Sequence, residues 1–164
     1  MNLTHLDAEG RARMVDVGGK PVTARRAVAT GEVRMSREAF ELVEDAARAK
    51  GDVITTAEIA AVMAGKRTSE LVPLCHQVPL DRLTVVAEPV AEWPGVRITA
   101  TVNATARTGV EMEALVAVSI GCCTVYDMIK SVDRSATINA IRVLEKSGGV
   151  RGDWHAVETE VEDA

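Results

Sequence analysis

The stretch Val96-Arg97-Ile98-Thr99-Ala100-Thr101-Val102-Asn103-Ala104-Thr105 alternates apolar and polar residues without a break. Successive strand side chains point to opposite faces, so this segment predicts a strand with one buried and one polar face, as in an antiparallel sheet covered on one side. Just before it, Trp93-Pro94-Gly95 supplies a turn, and Leu83 to Glu88 reads as the partner strand. Just after it, an apolar stretch predicts a long helix from about Glu113 to Val132, and Ile138 to Leu144 closes as a last strand. Further upstream, Arg26 to Met35 reads as a strand. Ser36 then caps a helix reaching about Lys50, with Phe40, Val43 and Ala47 on one face and Gly51 as its stop. Thr55-Thr56-Ala57-Glu58 has the form of a capping box, opening a second helix through Ile59, Ala60 and Met63 toward Lys66. Pro73 and Pro79 bracket an irregular segment. The order strand, helices, strand, strand, helix, strand predicts an α+β sandwich of ferredoxin-like type, an antiparallel sheet packed by helices. Residues 1–157 are expected to form one domain. Within it, 1–23 lacks periodicity and reads as an arm that orders against a neighbour, and 158–164 is an acidic tail.

Composition narrows the function. A chain of 164 residues with 47% hydrophobic and 26% charged content suits one soluble globular domain. Aromatics are only 2%, which leaves Ala, Val, Ile, Leu and Met to build a core of small pieces, with no platform for stacking bases. A net charge of -5 argues against a duplex nucleic-acid surface, yet Lys20, Arg25, Arg26, Lys66 and Arg67 suit a small polyanion such as a nucleotide. Three cysteines and no secretion signal point to a reducing cytoplasm. The longest uncharged apolar run, Ala114 to Tyr126, is 13 residues. That falls short of the ~20 needed to cross a bilayer, so no membrane span is expected.

Three clusters carry candidate chemistry: Lys66-Arg67 with Pro73-Leu74-Cys75-His76, then Thr108-Gly109-Val110-Glu111-Met112-Glu113, then Tyr126-Asp127-Met128-Ile129-Lys130. The last two flank the most apolar part of the chain, where titratable groups suit acid/base work. Each also has a structural reading. His76 fits a buried polar residue, Asp127 and Lys130 a surface pair one turn apart, and Glu111 and Glu113 first-turn carboxylates. Cys122 and Cys123 fit small core residues, and Lys66-Arg67 a helix C-terminus. The cysteines and histidines lack paired zinc-ligand spacing, so no metal is expected. At the end of an apolar helix, Lys130 is expected to have its pKa lowered by desolvation, with Asp127 opposing. At 1.5 Å per residue, Glu113 and Asp127 lie roughly 21 Å apart along a continuous helix. Either the helix breaks near Gly121, or each site combines residues from two chains of a symmetric oligomer.

Taken in order, Met14-Val15-Asp16-Val17, Lys50-Gly51-Asp52-Val53, Ala64-Gly65-Lys66-Arg67-Thr68, Leu71-Val72-Pro73-Leu74-Cys75-His76, Thr108 to Leu115, Tyr126 to Lys130 and Lys146-Ser147-Gly148-Gly149 resemble the signature of the MoaC family, from about Leu3 to Trp154. The resemblance implies a ferredoxin-like subunit in a homohexamer, a trimer of dimers with sites at the dimer interface. It implies conversion of 3',8-cyclised dihydro-GTP to cyclic pyranopterin monophosphate and pyrophosphate, a step of molybdenum cofactor biosynthesis. No redox cofactor is implied, with room only for Mg²⁺ as a triphosphate counterion. Carried over by residue, Asp127 and Lys130 match the catalytic pair, and Lys50 and His76 the other proton-handling groups. Leu74, Cys75 and His76 match one substrate-binding segment, and Met112 with Glu113, beside Glu111, the other. Lys66, Arg67, Lys20, Arg25 and Lys146 are candidates for the triphosphate, because leaving pyrophosphate needs positive charge. The chain departs from the family pattern at Val150, where Arg151 would compensate, and at Arg26, where an acidic residue is common. The competing expectation is a non-catalytic nucleotide-binding or regulatory oligomer of the same fold.

Overall fold

The alternation at 96–105 becomes β3 (Gly95–Ala106), with Val96, Ile98, Ala100 and Val102 fully buried and Arg97, Thr99, Thr101 and Asn103 half-buried. It belongs to a computed structural model that describes residues 3–48, 53–150 and 152–157. Flanking it are β1 (Thr23–Arg34) and β2 (Leu80–Val90), both antiparallel to it. Next to β1 lies β4 (Thr137–Ser147), and β5 (Trp154–His155) adds a short edge, so the sheet runs β2-β3-β1-β4-β5. The helices are α1 (Arg37–Arg48), α2 (Val53–Gly65), α3 (Thr68–Leu71) and α4 (Glu111–Ile129). The chain order and the strand order β2-β3-β1-β4 together make the expected ferredoxin-like α+β sandwich.

The core is built from small residues, as the scarcity of aromatics predicts. On α4, Ala114, Ala117, Val118, Cys122 and Val125 are fully buried, and on α2 so are Ala57 and Ala61. A Cβ at Gly31 of β1 would lie 2.6 Å from Val118, and one at Gly121 would lie 3.0 Å from Ile98 and 3.3 Å from Ala61. Gly121 therefore lets α4 approach the sheet and α2; it is not a break, and α4 is continuous over 19 residues. By length and composition α4 would pass for a bilayer span, but it packs against β1, β3 and α2 as the core helix.

Several boundaries move for identifiable reasons. Ser36 does cap α1, accepting the Ala39 N–H at 3.3 Å, while its own N–H donates to Asp133 Oδ2 at 2.7 Å. The Thr55–Glu58 motif is not the cap of α2, which starts at Val53; Glu58 instead accepts the Ala87 N–H at 3.0 Å and ties α2 to β2. β1 starts at Thr23 because β3 runs on to Ala106 and pairs with it. Contacts within the arm give it a turn of its own. Asp7 Oδ1 accepts the N–H groups of Glu9 at 3.0 Å and Arg11 at 2.8 Å, Gly10 turns at φ 78°, and Leu6 bridges Ala12. Lys50, Gly51, Arg151 and the acidic tail lie outside the described residues.

Candidate active site

A cleft of about 540 Å³ opens where the arm, the start of β1, the end of β4 and the β3–α4 connection meet. Arg25 and Arg26 enter from β1, and Lys146, Ser147 and Gly148 from β4, because the strands pair Arg26 with Ser147 and Ala27 with Lys146. Lys20 and His5 come from the arm, Arg107 and Glu111 from the approach to α4, and His76 from the segment before β2. Five of the lining side chains are Lys or Arg and one is a carboxylate, on a chain whose net charge is -5. Concentrating cations on an acidic protein costs repulsion that an anionic ligand relieves.

The cationic wall is braced from behind. Arg25 is 9% exposed and donates from Nε to the Ala106 carbonyl at 3.2 Å. Its guanidinium lies against Gly149, where a Cβ would stand 1.7 Å from Nη1. Gly148 and Gly149 take φ of 87° and 84°, a left-handed backbone that only glycine adopts freely. Lys146 Nζ donates to the Gly152 carbonyl at 3.1 Å, and Arg26 forms an ion pair with Glu145.

Beside the cleft, Glu113 is 3% exposed in the first turn of α4. Its Oε1 lies 3.9 Å from Cys75 Sγ, and its buried Oε2 has no hydrogen-bond partner. Burial raises the Glu113 pKa, and burial followed by the nearby Glu113 charge pushes the Cys75 thiol up to about 11. Cys75 is thus a poor nucleophile. Among the described residues no three His, Cys, Asp or Glu side chains converge to hold a metal ion.

The structure brings together Lys20, Arg25, His76, Glu111 and Lys146 from the residues singled out in the sequence. Leu74 and Cys75 adjoin His76 and are half-buried, while Met112 is 38% exposed on the first turn of α4. Lys66 and Arg67 are exposed and do not line the cleft; Arg67 instead pairs with Glu70 at 2.8 Å. Asp127 and Lys130 stand at the far end of α4, 16 residues beyond Glu111 and so about 24 Å along the axis. They form an exposed pair, Lys130 Nζ to Asp127 Oδ1 at 2.5 Å. The expected lowering of the Lys130 pKa is corrected: the hydrogen bond to Asp127 and its charge raise it, because the ammonium is solvated rather than buried. Sequence reading passed over His5 and Arg107 as ligand contacts. Their neighbours are brought to them by strand pairing and by the arm's turn, which no local pattern announces.

The fold and the cleft define an α+β protein with a cationic cleft of small-molecule size. The MoaC family model matches residues 14–149, and the chain belongs to that family. Its relatives include proteins named cyclic pyranopterin monophosphate synthase from Brucella ovis and Brucella abortus, each 55% identical over 152 residues. A protein of the same name from Brucella suis is 54% identical over the same length. In each comparison the match covers 93% of this chain and 92% of the relative.

Proposed function

We propose that this chain is a cyclic pyranopterin monophosphate synthase. It converts (8S)-3',8-cyclo-7,8-dihydroguanosine 5'-triphosphate to cyclic pyranopterin monophosphate and pyrophosphate in molybdenum cofactor biosynthesis. The observation that carries this reading is end-to-end similarity to synthases of that name, joined to a cationic cleft on an acidic chain. The triphosphate lies along Lys20, Arg25 and Lys146, whose charge offsets the negative charge developing on the leaving pyrophosphate. Arg26 adds charge at this end, its pairing with Glu145 notwithstanding. His76, Lys50, Asp127 and Lys130 handle protons during rearrangement of the purine and closure of the cyclic phosphate. These steps are acid/base and phosphoryl chemistry, which calls for no redox cofactor; a Mg²⁺ ion, where bound, would serve only as counterion to the triphosphate.

Each site combines the cleft of one subunit with the Asp127–Lys130 end of α4 from another, within a dimer that builds a cytoplasmic homohexamer. Supporting this, α4 is continuous and holds its two functional ends far apart. An apolar groove beside the pair, lined by Leu42, Val43, Met128, Ile129 and Val132, leaves Leu42, Met128 and Val132 substantially exposed. Exposed apolar surface of this kind is what a subunit interface covers. An exposed ion pair such as Asp127–Lys130 adds little to stability, so its arrangement suits a functional role. The test is to supply the cyclised nucleotide to the purified protein and measure pyrophosphate and the pterin product. Turnover of both in equal amounts is expected; tight binding without turnover would mark a nucleotide-binding relative that has lost the reaction.

A further inference from the structure

The N-terminal arm contributes more to the cleft than a basic side chain. It folds back as a short hairpin, held by Asp7 accepting from Glu9 and Arg11, by Arg11 Nε donating to Asp7 Oδ2 at 2.9 Å, and by the Leu6–Ala12 bridge. Three backbone and side-chain devices thus set the position of a segment that lacks any apolar periodicity. Thr4 and His5, at the base of this hairpin, line the same cleft as Arg25 and Lys146. The His5 ring is also oriented: Nδ1 lies 3.3 Å from the Arg13 carbonyl oxygen, and the Arg13 N–H donates to the His5 carbonyl at 2.9 Å. A carbonyl can only accept, so Nδ1 carries the proton and Nε2 is the ring nitrogen left for a ligand.

From this geometry we infer that His5 is a substrate-contacting residue, which as an imidazolium donates from Nε2 to an oxygen of the phosphate chain in the cleft. An imidazolium donates at both nitrogens, one to Arg13 and one to the ligand. His5 is therefore assigned to ligand binding, with the hairpin as its mount, and Asp7 and Arg13 as positioning residues. The inference rests on the placement of the phosphate chain in this cleft, and the experiment separates the two.

Titrate inorganic pyrophosphate by calorimetry into full-length wild type, His5→Ala, His5→Phe and Lys146→Ala, and measure KM and kcat of each with the cyclised nucleotide. Both His5 variants should weaken pyrophosphate and raise KM by about 10-fold, the order of one charge-assisted hydrogen bond, with kcat within about twofold of wild type. The phenylalanine keeps a ring in place, so retained affinity in His5→Phe would reduce His5 to a shape-filling role and overturn the inference. Unchanged affinity in both His5 variants alongside a loss in Lys146→Ala would overturn it while leaving the phosphate cleft standing. No loss in any variant would remove the phosphate chain from the cleft and the inference with it. A fall in kcat at unchanged KM would place His5 in the chemistry instead and likewise contradict its assignment to binding.

Discussion

A methyl group at Gly149 would meet the Arg25 guanidinium at 1.7 Å in a backbone already at φ 84°. Gly149→Ala must therefore strain the turn and push Arg25 off its bracket on the Ala106 carbonyl. Strain of this kind is expected to cost about 1–3 kcal/mol, read as a lower Tm, and pyrophosphate affinity should drop with it. Unchanged affinity would separate Arg25 from the ligand. At the other end of α4, the hydrogen bond and the charge of Asp127 raise the Lys130 pKa, so the group is an ammonium near neutral pH and a weaker acid than a free lysine. Arginine keeps the charge but does not give up its proton near neutral pH. Lys130→Arg should bind substrate normally and lose about 100-fold or more in kcat, the lower range for general acid/base catalysis. Near-normal turnover would leave Lys130 an electrostatic role and pass proton transfer to Lys50 or His76.

Elements pack here through small residues, so the tolerances are tight. Gly31 faces Val118 and Cys122 of α4, and a Cβ there would lie 2.6 Å and 3.1 Å from them. Gly31→Ala should destabilise by about 1–3 kcal/mol, the usual cost of overpacking, measured by denaturant unfolding. Glu113 makes a different prediction. Burial raises its pKa in the folded chain, so the folded state holds a proton that the unfolded state releases above its ordinary pKa of about 4.3. Stability from this group is thus fully present below that value and falls as pH rises through the folded pKa. Glu113→Gln removes the charge, so the stability of the variant relative to wild type should increase from pH 4 to pH 8; a pH-independent difference would contradict the burial argument. Much at this scale was legible in the chain. The β3 alternation is readable because one face is buried and the other is not, and Ser36 is readable because a cap acts locally. The start of α2 was misread because Glu58, which looks like a capping partner, is engaged by the Ala87 N–H across the structure. The hairpin of the arm escaped notice because hydrogen bonds to Asp7, not apolar spacing, make it.

At the scale of the whole molecule, the candidate site was legible in part. Residues within the quoted motifs were found by their sequence order, and Lys20, Arg25, His76, Glu111 and Lys146 do converge. Arg107 and His5 were not singled out as ligand contacts, since their place in the cleft depends on long-range pairing such as Thr23 with Ala106. Lys66 and Arg67 have the right charge but are exposed and do not line the cleft, and Arg67 pairs with Glu70. What unites the remaining pieces is the continuous α4, whose ends carry Glu111 and the Asp127–Lys130 pair about 24 Å apart. The proposal that each site is shared between chains rests on that separation, and co-assembly tests it. Lys146→Ala spoils the cleft, Asp127→Ala spoils the helix end, and each variant is first shown to be inactive alone. In a mixed dimer both lesions fall in one site and the other site is wild type, so statistical mixing should restore roughly a quarter of wild-type turnover. Verified mixed oligomers that remain as inactive as either parent would contradict the shared site.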